Sequence, residues 1–224
     1  MKLHRYMTVS TLAAAGLLTA ACGASPAANP DSAAKVVPAM QAAVKSATSV
    51  HISGSVKDGS RQDTIDMSFE GNDASGTVSQ GGQAYTILLV AGKAYVKVDP
   101  GFLKAANLPA SDCTSMCGKY VAVPGSQISQ LTGSLSLASI TNQFVSSLPS
   151  SVRNDTADVF QKSTFDGQSA LKFAQGRYTI DVAGTGTPYL LYISDSSNGN
   201  NLTFSQWNAV PPLTPPPASE IITI

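Results

Sequence analysis

The side chain that most often moves protons near neutral pH is histidine, and this sequence holds two, His4 and His51. His51 alternates with apolar residues in Val50-His-Ile-Ser-Gly-Ser-Val56, a strand pattern. As a catalytic base it would need a nucleophile and an orienting carboxylate, and no G-x-S-x-G elbow occurs. Asp63 and Asp66 are three residues apart, which puts them on opposite faces of a strand; Asp155 and Asp158 share that spacing. The glycine-rich Ser79-Gln-Gly-Gly82 lacks the Lys-Ser/Thr ending of a phosphate loop. The reading is a non-enzymatic chain with no catalytic residue, no metal site and no cofactor. Three cysteines remain, Cys22, Cys113 and Cys117.

Cys22 has the clearest context. Lys2, His4 and Arg5 form a basic start, and Met7 to Leu18 is an apolar run of about a dozen residues, short of the roughly 20 that span a bilayer. Leu18-Thr-Ala-Ala-Cys22-Gly23 resembles a bacterial lipobox, with Thr19 where leucine is usual. The resemblance implies that residues 1–21 are a lipoprotein signal peptide and that Cys22 carries palmitate-type acyl chains. Two or three chains anchor stably where one does not. The alternative is a plain secretory signal that leaves Cys22 an ordinary thiol. Residues 22–30 then form the lipidated cysteine and a flexible tether. Either way the chain is exported; with the anchor it sits on the extracytoplasmic face of the cell membrane.

Export bears on the other pair. Cys113 and Cys117 are four residues apart, and an oxidising compartment favours a disulfide between them. A C-x-x-x-C metal site has no second pair or nearby histidine to complete it, and a redox pair would be C-x-x-C on a thioredoxin-like unit. The staple is favoured over both.

These residues sit on a simple succession of elements. Ala33, Val36, Val37, Met40, Ala43, Val44 and Ala47 recur at helical period, with Asp31 or Ser32 to cap the start and Pro38 to begin or kink the regular part. Five strand-like runs follow between Val50 and Val98. Pro100 to Asn107 reads as a short helix, and Ser134 to Leu148 is amphipathic, stopped by Pro149. Ala157 to Asn208 returns to five strands. The short Gly/Asp/Asn connections require antiparallel neighbours. After Val210 come five of the 13 prolines, and Glu220 to Ile224 can add an edge strand. Residues 31–210 therefore form one domain and 211–224 a proline-rich tail.

With 43% hydrophobic residues the chain can bury a core, and with 14 basic against 14 acidic residues it has no footprint for nucleic acid. Removing Lys2 and Arg5 leaves 12 basic against 14 acidic, so no polybasic segment supplements the anchor. The fold class is α+β: an antiparallel sheet of about ten strands, curling as it twists, with a few helices on its concave side. Ile87 to Val90 and Tyr189 to Ile193 are apolar on both faces and need cover on both, or one face lines something else.

Several short motifs, in order, resemble the actinobacterial LppX/LprA/LprF/LprG-type lipoproteins: Val90-Ala-Gly-Lys-Ala-Tyr-Val-Lys97, Phe165-Asp-Gly-Gln-Ser-Ala-Leu171, Gly184 to Leu191, and Phe204-Ser-Gln-Trp-Asn208. The resemblance runs from about Ala33 to Ile222, and the Cys113–Cys117 pair is not among its motifs. It implies a LolA/LolB-like half-barrel that binds, and carries, acyl chains of lipids or glycolipids in an apolar cavity. The implied partners are that ligand, the membrane through the anchor, and an envelope transporter, with the chain itself a monomer. From the residues, the cavity is expected to be lined by Leu137, Ile140, Phe144 and Leu148 of the amphipathic helix. Ile87, Leu89, Val96, Ile180 and Leu191 would face it from the sheet, provided the strand parity is right. A different reading keeps the fold with a filled interior, as an envelope scaffold or co-regulator acting through protein contacts.

Overall fold

The computed structural model describes residues 32–58, 60–125, 135–148 and 160–222. The leader, Cys22, the tether, Asp155 and Asp158 lie outside them.

Helix α1 runs Ala33–Ser46. The carbonyl of Ser32 accepts the N–H groups of Lys35 and Val36 at 2.9 and 3.1 Å, so the helix starts five residues before Pro38 and runs through it. The first meander is β1 (Ser49–Asp58), β2 (Arg61–Glu70), β3 (Asp73–Gln80), β4 (Gln83–Val90) and β5 (Lys93–Lys97). Two short helices follow, α2 (Pro100–Ala105), capped by Asp99, and α3 (Cys113–Met116), then β6 (Tyr120–Ala122). Helix α4 is Leu137–Ser147. The second meander is β7 (Gln161–Phe165), β8 (Gln168–Gln175), β9 (Tyr178–Ala183), β10 (Leu190–Asp195) and β11 (Asn200–Ser205), and β12 is Ile221–Ile222.

All twelve strands join one sheet in the order β12-β6-β5-β4-β3-β2-β1-β11-β10-β9-β8-β7. The two meanders meet at β1, which pairs with β2 on one side and β11 on the other. Every pairing is antiparallel except β12 with β6. The two strands beyond the ten expected from the sequence are β6, three residues long beside the disulfide loop, and β12, the edge strand at the C-terminus.

A twisted sheet of this width does not stay flat, and two glycines show where it bends. Gly54 in β1 and Gly76 in β3 have φ of 148° and 154°, and a Cβ on either would fall on a neighbouring carbonyl, that of Asn201 or of Asp66. The adjacent strand rises toward the inner face at both points, the close approach that glycine allows. On that concave face α1 and α4 cover Val50, Ile52, Met67, Phe69, Ala74, Leu89, Phe173, Ile180, Val182 and Phe204, all nearly inaccessible to solvent. The convex face is largely polar and charged, with many Ser and Thr, apart from a second small core where Leu88, Val90 and Tyr95 lie under Leu213 and Ile221 of the tail. The run Ile87 to Val90 is thus covered on both sides.

Candidate ligand-binding cavity

Helix α4 is the element that makes a hollow. Ser136 caps it, its hydroxyl accepting the Ser139 N–H at 3.2 Å, and the Leu137 N–H donates to the Gly71 carbonyl in the β2–β3 turn at 2.9 Å. Leu137, Thr141 and Leu148 point into the core and are buried. Thr141 stays satisfied there by donating its hydroxyl to the Leu137 carbonyl at 2.8 Å. On the adjoining stripe Phe144 touches the sheet at Phe204 of β11, and beside that contact Ile140 and Gln143 border open space. Below it the sheet presents Ile52 and Val56 of β1, Ile65 of β2, Val78 of β3, Tyr85 of β4 and Leu202 of β11.

The space beneath α4, open to solvent along one side, is about 510 Å³, within the range of small-molecule sites. Gly54 sits between Ile52 and Val56 on this face and faces Leu202 and Ile65 across the ladders, so no side chain fills the middle of the floor. The walls are aliphatic and aromatic. The rim is polar: Asp63, Gln80 and Gln143. Asp63 accepts the Gly81 N–H at 3.1 Å. Val56, 39% accessible, is the exposed large hydrophobic side chain among the described residues and stands at the mouth.

Of the residues expected from the sequence to face a ligand, Ile140 and Phe144 line this cavity. Leu137 and Leu148 are in the packed core, as are Leu89 and Ile180, both wholly buried. Ile87 and Val96 face each other across β4 and β5 on the concave side, half-buried and outside the lining. Leu191 falls at a bulge in β10, between Leu190, which opposes Val182, and Tyr192, which opposes Asp181, and lies outside this lining. The sheet residues that do line the cavity, Ile52, Val56, Ile65, Val78, Tyr85 and Leu202, carried one usable signal: isolated glycines, Gly54 and Gly76, inside otherwise regular strands.

On the convex face His51 lies between Ser68, 3.0 Å from Nδ1, and Asp66, 3.4 Å from Nε2. These are the residue types of a hydrolytic triad. The site is an open sheet surface, with Asp66 72% accessible. Its β1 and β2 backbone groups are engaged in ladders on both sides, so no pair of free N–H groups stands by for an oxyanion. Asp63 and Asp66 are on opposite faces, as their spacing requires. Among the described residues no three His, Cys, Asp or Glu side chains converge to hold a metal ion. Cys113 and Cys117 form a disulfide with Cα atoms 4.6 Å apart, on α3 and away from the cavity.

A large curved antiparallel sheet with helices on one face defines an α+β class of fold, and solved structures are similar to this chain. LprF from Mycobacterium bovis is 17% identical, with a TM-score of 0.49 over 82% of this chain and 96% of that one. The lipoprotein LppX of Mycobacterium tuberculosis is 17% identical, with a TM-score of 0.47 over 81% of this chain and 98% of that one. Both names fall in the group that the sequence motifs resemble. No family model matches the sequence, and no curated protein does.

Proposed function

We propose that this protein is a membrane-anchored, extracytoplasmic lipoprotein that holds a hydrocarbon chain of a lipid in the cavity beneath α4, with no catalysis of its own. The observation that carries the reading is the floor itself: a glycine-opened patch of Ile52, Val56, Ile65, Val78 and Leu202 roofed by Ile140 and Phe144, with polar groups confined to the rim. Such a site takes an amphiphile, tail inward and headgroup at Asp63 and Gln143. At about 30 Å³ per water-sized group, the volume holds on the order of fifteen methylenes, which is one acyl chain. Each buried methylene adds about 0.8 kcal/mol, so affinity does not need a specific polar contact.

The anchor rests on the sequence around Cys22, and no helix among the described residues is long and apolar enough to cross a membrane. Incorporation of an alkyne-tagged fatty acid into the wild-type protein, and its loss in Cys22→Ser, tests lipidation. Native mass spectrometry and organic extraction of the exported Cys22→Ser protein test the cavity. A bound lipid is expected. Protein that emerges empty and takes up no fluorescent fatty acid would overturn the reading.

A further inference from the structure

The ladder between β10 and β11 stops at the Tyr192–Thr203 pair, although both chains continue. Leu190 still pairs with β9, and Phe204 and Ser205 still pair with β1. The bulge at Leu191 therefore leaves a split in the sheet. A second, half-open hollow of about 380 Å³ lies there, lined by Tyr189, Leu191, Phe204 and Trp207 and otherwise mostly by Gln, Ser and Thr side chains. Trp207 holds its place by donating Nε1–H to the Leu190 carbonyl at 2.8 Å and stacking on Tyr189 at 4.9 Å.

Phe204 and Leu202 are two residues apart on β11, hence on one face of the strand. Leu202 lines the first cavity and Phe204 the second. Phe144, from the roof of the first cavity, meets the Phe204 ring edge-on at 4.7 Å. Behind Phe204 the Trp207 ring follows at 6.1 Å, nearly parallel. The Phe144–Phe204 pair thus closes the first hollow at this end of β11 and Trp207 fills the space behind it, while the second hollow opens on the convex face, to which Ser205 and Ala183 point.

We propose that the Phe144–Phe204 contact is the end wall of the acyl site and sets the length of chain it accepts, with the Trp207 ring directly behind it. This rests on the acyl-chain reading above. Phe144 is half-buried and Phe204 fully buried, so trimming the former opens the wall at the lesser cost in packing.

The test uses the exported Cys22→Ser protein and a graded series of saturated straight-chain fatty acids, read by native mass spectrometry. The wild type should show a cut-off in chain length. Phe144→Ala and Phe204→Leu should each lengthen it by about four carbons, with a gain of roughly fourfold in affinity for each methylene newly buried. A terminally brominated long-chain acid should quench Trp207, the sole tryptophan, more in Phe204→Leu than in the wild type. A cut-off that stays put in a Phe144→Ala protein of native circular dichroism overturns the end wall and leaves the acyl site standing. A wild type that binds no member of the series overturns both.

Discussion

Leu213 donates its backbone N–H to Oε2 of Glu70 over 3.0 Å, joining the proline-rich tail to the end of β2. Just before it, the Asn208 N–H donates to the Ser49 carbonyl at 2.9 Å and the Val210 N–H to the Ser49 hydroxyl at 3.2 Å. Just after it, Leu213 lies on Leu88, Val90 and Tyr95, and the chain ends as β12 against β6. The tail therefore crosses from the middle of the sheet to one edge on the convex side, bracing the strands whose concave side forms the cavity wall. Proline suits this course, since an extended strap needs few backbone donors and little ordering entropy.

Glu70→Ala removes a charge-assisted hydrogen bond and should destabilise the fold by about 1–2 kcal/mol. Truncation after Val210 should cost more, because Leu88 and Tyr95 become exposed. Urea denaturation midpoints measure both, and an unchanged midpoint in the truncated chain would show that the strap bears no load.

Gly54 and Gly76 should be the least replaceable residues of the sheet. Both hold φ values that side chains rarely adopt, and both would drive a Cβ into a carbonyl of the next strand. Alanine at either position should cost more than about 3 kcal/mol or prevent folding. Gly82, at φ 81° with no atom within 4 Å of a built Cβ, is the control. There alanine carries backbone strain alone, about 1 kcal/mol. Equal losses at all three positions would mean that the close approach does not matter.

The order of elements was legible because the apolar period changes cleanly and the turns carry Gly, Asn and Asp. Strand faces were legible wherever alternation was unbroken, as at Met67 and Phe69. Leu191 shows the limit: an unseen bulge shifted its face, and no local signal marks one extra residue in Tyr189 to Ile193. β6 escaped notice because three residues beside a disulfide loop have no period to read. The cavity lining was the hardest part. An inward aliphatic side chain that packs, such as Ile180, and one that borders a hollow, such as Ile65, look the same in sequence; what separates them is the distance to α4, set by tertiary packing.

The Cys113–Cys117 bridge closes a small loop at one side of the fold, so its removal should be felt in stability and not in binding. Loop-closure entropy for so short a segment gives about 2 kcal/mol. The double variant Cys113→Ser/Cys117→Ser should therefore melt earlier yet bind fatty acid as the wild type does. A weakened affinity at unchanged fold would tie the loop to the cavity.

Asp181 is the buried carboxylate of the described residues, its side chain 2% accessible on the convex face of β9. Loss of hydration on burial raises its pKa above the ordinary 3.8, while Lys172, with Nζ 4.0 Å away, and the Ser163 hydroxyl at 3.4 Å pull the other way. Between 3.8 and the raised value the folded chain holds a proton that the unfolded chain has released, so this group's contribution falls as pH rises through that window. Above the window the whole penalty of the buried charge remains. Asp181→Asn should then be more stable than the wild type at neutral pH, the more so because Lys172 is 45% accessible and keeps its water. The advantage should shrink as pH falls through the window and vanish below 3.8. Urea denaturation of both proteins across that range decides the matter: a variant less stable at neutral pH would mean that attraction to Lys172 outweighs the cost of burial.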